Sequence, residues 1–260
     1  MKLNYMSELL VETKKFNTLK NLFPQFNGKF IIAGPCAIES EEMLRTTARA
    51  LTGMGVKFLR GGAFKPRTSP YSFQGKREEG IYILSKIAKE FGMYSVSELT
   101  DIRQLDLFLE YIDIIQIGAR NMQNYELLKE LGKVDKPVLL KRGLCASINE
   151  FVNAAEYIAV GGNDKLILCE RGIRTFETET RNTLDISCIP IIHKKTNLSI
   201  IVDISHSIGR KDIVREIYLA VQAAGADGIM VEVHPDPRMA LSDSYQQLSL
   251  EEFKENIMGE

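Results

Sequence analysis

Four residues of the kinds that bind transition metals stand at or near the ends of short apolar runs. They are Cys36, His206, Glu232 and Asp243. Thiolate, imidazole and carboxylate groups make a mixed sulfur, nitrogen and oxygen set that suits Mn²⁺, Fe²⁺, Co²⁺ or Zn²⁺. Taken singly, each has an ordinary structural explanation, as a small buried thiol, a core histidine, a paired carboxylate or a turn residue. Only a fold that gathers all four would make them a metal site.

A second group of charged residues, all cations, follows other apolar runs. Buried cations are costly unless anions meet them, and the planar fork of arginine fits phosphate or carboxylate. A solvated surface charge explains any one of these residues, but not their presence at four run ends in a nearly neutral chain. The pattern predicts a site for two or more anionic groups. Its residues are Arg60, Lys65, Arg67, Arg120, Lys141 and Arg171.

Eight apolar, β-rich runs alternate with helical patterns from residue 30 onward, which predicts a parallel sheet with right-handed crossovers. Eight units favour closure into a single (β/α)8 TIM barrel, with an open doubly wound sheet as the alternative. The glycine signature of dinucleotide-binding sheets is missing after the first run. The predicted strands are 30–36, 56–62, 93–99, 112–118, 137–143, 165–172, 198–206 and 228–234. The predicted helices are 40–52, 78–91, 125–131, 147–160 and 211–224.

In such a barrel the C-terminal ends of the strands meet at one face, where reactive groups gather. Strand 8 then lies between strands 7 and 1, so Cys36, His206, Glu232 and Asp243 can converge on one point. The cations follow strands 2, 4, 5 and 6 and occupy the facing arc. We therefore predict a metal site on one arc, opposite a site for one multiply phosphorylated substrate or two phosphorylated substrates.

Composition limits the class of protein. The chain has 260 residues with 33 basic and 34 acidic side chains, so a general nucleic-acid or anionic-membrane binder is not expected. No apolar stretch is long enough for a membrane span, and the start lacks a signal-peptide pattern. The four cysteines are widely spaced, which favours reduced thiols and a cytoplasmic location. Residues 1–28 are expected to form a short N-terminal extension before a catalytic barrel at 29–260.

The motifs at the strand ends, taken as an ordered set, are highly specific. Over about residues 29–248 they resemble the 3-deoxy-D-arabino-heptulosonate 7-phosphate (DAHP) synthases of the shikimate pathway to aromatic amino acids. The resemblance is to the subgroup related to 3-deoxy-D-manno-octulosonate 8-phosphate (KDO8P) synthase. The motifs are AGPC at 33–36, RGGAFKPRTS at 60–69, IGARN at 117–121, LKRG at 140–143, ERG at 170–172, DISH at 203–206, EVHPDP at 232–237 and ALSDS at 240–244.

The resemblance implies a role for each candidate residue. The family's metal ligands correspond to Cys36, His206, Glu232 and Asp243, with Mn²⁺ as the expected ion. The resemblance also puts Glu98 near the reacting carbons. As a mechanistic hypothesis, Lys65 is the candidate proton donor, and Glu98 or His206 would manage the attacking water. The phosphate of the aldehyde substrate would meet Arg67, Thr68 and Ser69. The contacts to phosphoenolpyruvate correspond to Arg60, Lys65, Arg120, Lys141 and Arg171.

The loop after strand 2 distinguishes two aldehyde substrates. DAHP synthases carry Lys-Pro-Arg-Thr/Ser there and KDO8P synthases Lys-Ala-Asn-Arg-Ser, and this chain reads KPRTS at 65–69. The loop therefore favours erythrose 4-phosphate over arabinose 5-phosphate. KDO8P synthesis remains the nearest alternative. A Schiff-base aldolase that uses Lys141 is a second alternative, and a barrel that only binds phosphometabolites is a third.

Three further expectations come from the resemblance. The family suggests a homotetramer. Many relatives carry an added regulatory or chorismate mutase domain, and only a short segment precedes this barrel, so feedback through such a domain is not expected. Ile204 stands where proline is common in the family, which leaves the expected role of His206 in place.

Overall fold

The structure, a computed structural model, describes residues 8–67 and 69–259. Eight parallel strands pair in sequence order, and β8 pairs with β1 to close the barrel. This confirms the predicted (β/α)8 TIM barrel and rules out the open sheet. The strands are β1 (Phe30–Gly34), β2 (Phe58–Arg60), β3 (Tyr94–Glu98), β4 (Ile114–Ile117), β5 (Val138–Lys141), β6 (Leu166–Glu170), β7 (Ser199–Asp203) and β8 (Gly228–Glu232).

Helices follow the strands around the outside of the barrel. None in the described ranges is long and apolar enough to cross a membrane. The helices are α1 (Leu10–Thr13), α2 (Leu19–Leu22), α3 (Glu41–Gly53), α4 (Arg77–Glu90), α5 (Leu105–Tyr111), α6 (Tyr125–Leu131), α7 (Ile148–Val160), α8 (Cys188–Lys195), α9 (Ile204–Ile208), α10 (Val214–Ala223) and α11 (Leu250–Phe253). Short 3-10 turns span Ile102–Gln104, Ala119–Asn121 and Pro237–Met239, and a π-helical turn spans Lys254–Met258.

The five predicted helices are present, and the Ser147 capping box that was expected to start α7 is formed. Six helices were not predicted, and α5 and α8 are the longest of them. The helix α5 has seven residues and buries only Phe108 fully, so its periodic signal is weak. The helix α8 carries Pro190 in its first turn, where proline is tolerated, although proline usually indicates the end of a helix.

The prediction that strand 7 extends to His206 was wrong. The strand ends at Asp203, whose side chain accepts the backbone N–H of His206 and caps the short helix α9. Capping by an aspartate starts a helix, because the carboxylate satisfies an N–H group that has no partner in the first turn. His206 therefore stands on a helical turn at the end of the barrel.

We call the C-terminal ends of the strands the upper end of the barrel and their N-terminal ends the lower end. The barrel interior is apolar at the lower end and polar at the upper end. Every second side chain of a strand points to the same face. The lower cluster contains Phe30, Ile32, Phe58, Val96, Ile114, Leu139, Ile167, Cys169, Ile201 and Met230. Two residues further along their strands, on the same face, lie the members of the polar upper layer. They are Arg60, Glu98, Gln116, Lys141, Arg171, Asp203 and Glu232.

The segment before β1 covers the lower end of the barrel. Phe23 packs into the lower cluster, with its ring centroid 4.9 Å from those of Phe58 and Tyr94. The backbone N–H of Leu19 donates to Ser199 Oγ at 3.1 Å. Further out, α1 packs on α7, and Glu156 accepts the backbone N–H groups at Leu10 and Val11. The lower end is thus closed by apolar contact.

Candidate active site

Three of the four predicted metal ligands form one cluster at the upper end. Cys36 follows β1, Glu232 ends β8, and Asp243 lies in the loop after β8. Their ligand atoms all lie within 4.8 Å of one another. Strand pairing explains this convergence, because Gly34 of β1 is in register with Glu232 of β8. The cluster joins residues that are about two hundred positions apart in sequence.

His206 lies beside this cluster and touches two of its members. Its Nε2 is 3.4 Å from Glu232 Oε1 and 3.9 Å from Asp243 Oδ2. Its Nδ1 is 2.8 Å from Asp203 Oδ2. Burial lowers the pKa of the imidazole, while Asp203 and Glu232 act to raise it. The net lowering favours the neutral ring, which is the form that can offer a lone pair to a cation.

Glu232 is fully buried beside Arg60, and one of its oxygens is unsatisfied. Its Oε2 accepts a 2.6 Å hydrogen bond from Gln246 Nε2. Its Oε1 is 3.2 Å from Arg60 Nη2, but the angle is not that of a hydrogen bond, and this oxygen has no hydrogen-bond partner among the described residues. A buried carboxylate oxygen is costly in this condition. Glu232 Oε1 lies near His206 Nε2, Cys36 and Asp243, so a divalent cation bound among these groups would satisfy it.

Cys36 contacts Lys65 and Ser242. Its Sγ lies 3.1 Å from Lys65 Nζ and 3.0 Å from Ser242 Oγ. Burial, followed by the charge of Glu232, raises the pKa of the thiol to about 11, although Lys65 acts to lower it. The protein alone therefore keeps Cys36 protonated. A metal ion at this point would reverse that preference, because a coordinated thiol is deprotonated.

Asp243 is the most exposed member of the cluster and adopts a left-handed backbone conformation, with φ of 48°. Its Oδ2 is 3.2 Å from Arg181 Nη1. Burial acts to raise the pKa of this carboxyl, but Arg181 and His206 outweigh burial and hold the pKa at about 2. Arg181 also donates to Gln246 Oε1 at 2.6 Å, so one chain of contacts runs from Arg181 to Glu232.

A cavity of about 210 Å³ opens next to the cluster and is strongly cationic. Its lining includes Glu98, at the end of β3, and two of the predicted metal ligands, His206 and Asp243. Six cationic side chains face two carboxylates, an imbalance that an anionic ligand would neutralise. The six are Lys65, Arg67, Arg120, Arg171, Arg174 and Arg181.

Sequence reasoning missed Arg174, Arg181 and Asn182, which lie in the loop between β6 and α8. The rule that found Arg171 would also have found Arg174, three residues further along the same loop. Arg181 could not be found in this way, because it returns to the site only through the fold of the loop. Its backbone N–H donates to Ile208 O at 2.9 Å, which brings the loop back against α9.

Four of the predicted substrate contacts lie away from the cavity lining or cannot be placed. Arg60 and Lys141 are buried in the upper layer, where Arg60 pairs with Glu232 and Lys141 Nζ forms a short contact with Asp203 Oδ2. Ser69 is exposed and accepts the backbone N–H of Tyr71 at 3.3 Å. Thr68 lies outside the described residues.

A buried ionic group outside the barrel fixes two of the loops that form the site. Arg142 Nη1 lies 2.8 Å from both Glu170 Oε2 and Asp185 Oδ2. Glu170 Oε1 also accepts the backbone N–H of Gly172 at 2.6 Å. The β5 and β6 loops meet again where the backbone N–H of Arg174 donates to the Leu144 carbonyl at 2.7 Å. These contacts hold in place the loop that carries Arg171 and Arg174.

Comparisons with known proteins extend over this whole architecture. A model described as the DAHP synthetase I family matches residues 26–258. The phospho-2-dehydro-3-deoxyheptonate aldolase of Thermotoga maritima is 59% identical over 232 residues, which cover 89% of this chain and 69% of that protein. Its crystal structure, described as that of a DAHP synthase, matches with a TM-score of 0.86 at 58% identity, covering 90% of this chain and 68% of that one.

A more distant relative has a different name. The 2-dehydro-3-deoxyphosphooctonate aldolase of Syntrophotalea carbinolica is 30% identical over 262 residues, covering 93% of this chain and 94% of that protein. Both relatives thus align with most of this chain, at 59% identity for one and 30% for the other.

Proposed function

Since this chain belongs to the DAHP synthetase I family and has the activity of a DAHP synthase, we propose that its upper cavity binds the two reactants of that condensation side by side. The reaction joins phosphoenolpyruvate, erythrose 4-phosphate and water into DAHP and releases inorganic phosphate. It is the first step of the shikimate pathway. The observation that carries the proposal is the cavity lined by six cations beside the cluster of Cys36, Glu232 and Asp243.

The residues present fit a divalent cation. Cys36, His206, Glu232 and Asp243 would hold it, with Mn²⁺ as our candidate and Fe²⁺, Co²⁺ or Zn²⁺ as the other ions that this donor set suits. The unsatisfied Oε1 of Glu232 supports the assignment. When bound, such a cation acts as a Lewis acid toward a carbonyl oxygen.

The cationic residues hold the reactants in contact. Arg120, Arg171 and Lys65 line the cavity and bind the carboxylate and phosphate of phosphoenolpyruvate, while Arg60 and Lys141 add positive charge from beneath. The aldehyde's phosphate is assigned to Arg67, Thr68 and Ser69. Holding two anions together removes much of the entropic cost of a bimolecular step.

Three proton transfers accompany the reaction. As the phosphoenolpyruvate methylene attacks the aldehyde carbon, Lys65 donates a proton to the aldehyde oxygen, because its Nζ lies against the cluster, 3.1 Å from Cys36 Sγ. Water then adds to the enol carbon, and its proton passes to Glu98. We favour Glu98 over His206 as the base, since both nitrogens of His206 face carboxylates. The resulting phosphohemiketal then breaks its C–O bond to phosphate, and its hydroxyl proton leaves with the phosphate, so that the ketone remains.

The alternatives fare less well. KDO8P synthesis is the activity suggested by the 30% identical relative, whereas the loop at 65–69 and the 59% identical relative favour erythrose 4-phosphate. A Schiff-base aldolase would need the Lys141 amine to reach the substrate carbonyl. In this structure Lys141 is buried, its Nζ is in short contact with the carboxylate of Asp203, and it is not among the residues that line the cavity.

The test is phosphate release from phosphoenolpyruvate, measured with erythrose 4-phosphate and separately with arabinose 5-phosphate. We expect turnover with the four-carbon sugar and Mn²⁺, and loss of turnover after rigorous chelation. Turnover with arabinose 5-phosphate alone would reassign the enzyme to KDO8P synthesis. Full activity after chelation would exclude the metal role and reopen the Schiff-base route, which borohydride trapping on Lys141 would then reveal.

Several finer assignments are also proposals. We propose that residues 29–260 are the catalytic unit, with 1–28 as an extension. We propose a cytoplasmic enzyme, supported by four free thiols and by phosphorylated substrates. A homotetramer is proposed from family resemblance alone, and sedimentation would test it.

A further inference from the structure

Asp203 is a buried carboxylate on which three donors converge. It ends β7 and has no exposed surface. Its Oδ1 accepts the backbone N–H of His206 at 2.9 Å, and its Oδ2 lies 2.8 Å from His206 Nδ1. Lys141 Nζ, from β5 across the barrel, makes a short contact with the same Oδ2. The carboxylate is therefore held from two sides and cannot turn away from the imidazole.

This arrangement fixes the tautomer of His206. An ionised carboxylate can only accept hydrogen bonds, so Nδ1 must carry the ring proton. Both oxygens of Asp203 are already engaged as acceptors, Oδ1 by the backbone N–H of His206 and Oδ2 by Lys141 Nζ. With Nδ1 protonated, the lone pair of the neutral ring is on Nε2. That nitrogen points at Glu232 and Asp243.

We propose that Asp203 is a positioning residue that sets His206 in the Nδ1–H tautomer, so that Nε2 is free to bind the metal, with Lys141 holding the carboxylate in place. This inference rests on the proposed function, since it concerns the metal site of that function. It also adds a role for Lys141. Lys141 belongs to the predicted anion site and His206 to the predicted metal site, and both contact Oδ2 of Asp203.

An asparagine at this position cannot serve all three donors. If its amide oxygen faces Lys141 and Nδ1, its NH₂ group meets the backbone N–H of His206, and the cap of α9 is lost. If its oxygen caps the helix, its NH₂ group faces Nδ1, which must then accept a hydrogen bond. The ring proton would move to Nε2, and the neutral ring could no longer offer that nitrogen to a metal.

The chain contains a matched control at the lower end of the barrel. Asp227 Oδ2 lies 3.0 Å from His193 Nε2 and also accepts the backbone N–H of Ile200 at 2.7 Å. This pair has the same combination of carboxylate, imidazole and backbone amide, but it lies far from the Cys36 cluster. Asp227→Asn should therefore alter His193 without changing the metal site.

The experiment uses the whole protein, metal-free, at pH 8 with histidine-selective ¹⁵N labelling. Only three histidines are present, so the ring nitrogens can be resolved and assigned with His193→Gln and His234→Gln. We expect His206 to be protonated at Nδ1 in the parent protein and to shift toward Nε2–H in Asp203→Asn. Mn²⁺ binding, followed by electron paramagnetic resonance without substrates, should weaken by about 10- to 100-fold, the usual cost of losing such a partner. Asp227→Asn should leave Mn²⁺ binding unchanged.

Removal of Asp203 alone leaves the buried Lys141 unpaired, and that variant could fail to fold. The double variant Lys141→Met with Asp203→Asn removes both charges together and retains the amide beside His206, so it carries the same test. An unchanged His206 tautomer, or a shifted tautomer with unaltered Mn²⁺ affinity, would overturn the inference. Lack of turnover with erythrose 4-phosphate in the parent protein would instead refute the proposed function, and the binding results would still stand.

Discussion

The two ends of the barrel are built from the same eight strands and have opposite characters. At the lower end, aromatic rings from Phe23, Phe30, Phe58 and Tyr94 pack together, and the N-terminal segment covers them. At the upper end, the same strand faces carry charged side chains that touch one another. The change from one environment to the other takes only two residues along a strand: in β2, Phe58 lies in the lower cluster and Arg60 in the polar upper layer.

The histidine–aspartate pairs show what this difference means. Asp227 with His193 and Asp203 with His206 use the same chemical groups at similar distances, 3.0 Å and 2.8 Å. At the lower end, His193 is on the outer helix α8 and the pair is partly exposed, so it contributes little beyond local structure. At the upper end, Asp203 is fully buried and His206 is half-buried, and the pair lies beside two further carboxylates and a thiol. The neighbours of a pair, more than the pair itself, decide whether it can act in catalysis.

The comparison predicts that thiols at the two levels of the barrel interior behave differently. Cys36→Ala should lower kcat/KM by roughly 10²–10³-fold or more, because it would remove a proposed ligand of the divalent cation, and such an ion stabilises a transition state by several kcal/mol. The measurement is steady-state phosphate release with saturating Mn²⁺. Cys169→Ala, in the apolar lower cluster, is the control and should alter the free energy of unfolding while leaving activity intact. Equal loss of activity in both variants would show that the two thiols do not differ in their importance for catalysis.

Substitutions at the lower end of the barrel should change the stability of the protein and leave its activity unchanged. Phe23→Ala removes a ring that is 4% exposed and packs against three others, so we expect a loss of about 3–5 kcal/mol in the free energy of unfolding. Denaturant titration measures that loss, and kcat/KM of the folded variant should stay near the parent value. A large fall in activity without a fall in stability would mean that the lower end takes part in catalysis.

The six-cation cavity should depend on Arg174, a residue that the sequence motifs did not assign. Arg174→Ala should raise KM for one of the two phosphorylated substrates by roughly 10- to 100-fold, because a charge-assisted hydrogen bond contributes about 1.5–3 kcal/mol. Initial rates with each substrate varied in turn identify which one is affected. Arg238→Ala is the matched control, since its side chain is 89% exposed and pairs only with Asp236 in the described structure. Identical KM values in Arg174→Ala and the parent would place Arg174 outside the binding site.

The smallest expected effect is that of a helix cap at the upper end. Ser147→Ala removes the capping box of α7 and should cost about 1 kcal/mol of unfolding free energy. Thermal unfolding would measure it, and no change in kcat is expected. A change in kcat would contradict the prediction, because it would show that small movements of α7 alter the anion-binding site.

The fold could be predicted because its signals are local and repeated. The eight apolar runs alternate with helical segments, and closure follows from their number. Weak or interrupted local signals caused the errors, as at α5 and at the proline-containing α8. The end of β7 was misjudged because the cap formed by Asp203 looks, in sequence, like a continuation of the strand.

The sequence by itself determined the residue types at the strand ends, and with them the kind of chemistry that the chain can perform. Cys36, Glu232 and Asp243 were grouped from their positions at strand ends, since barrel closure requires β8 to lie beside β1. Tertiary structure alone decided the contacts: that Arg60 and Lys141 are committed to buried carboxylates, that Arg181 returns to the cavity, and that Asp203 holds His206. These contacts join side chains from different strands across a few ångströms, and spacing along one chain does not encode such distances.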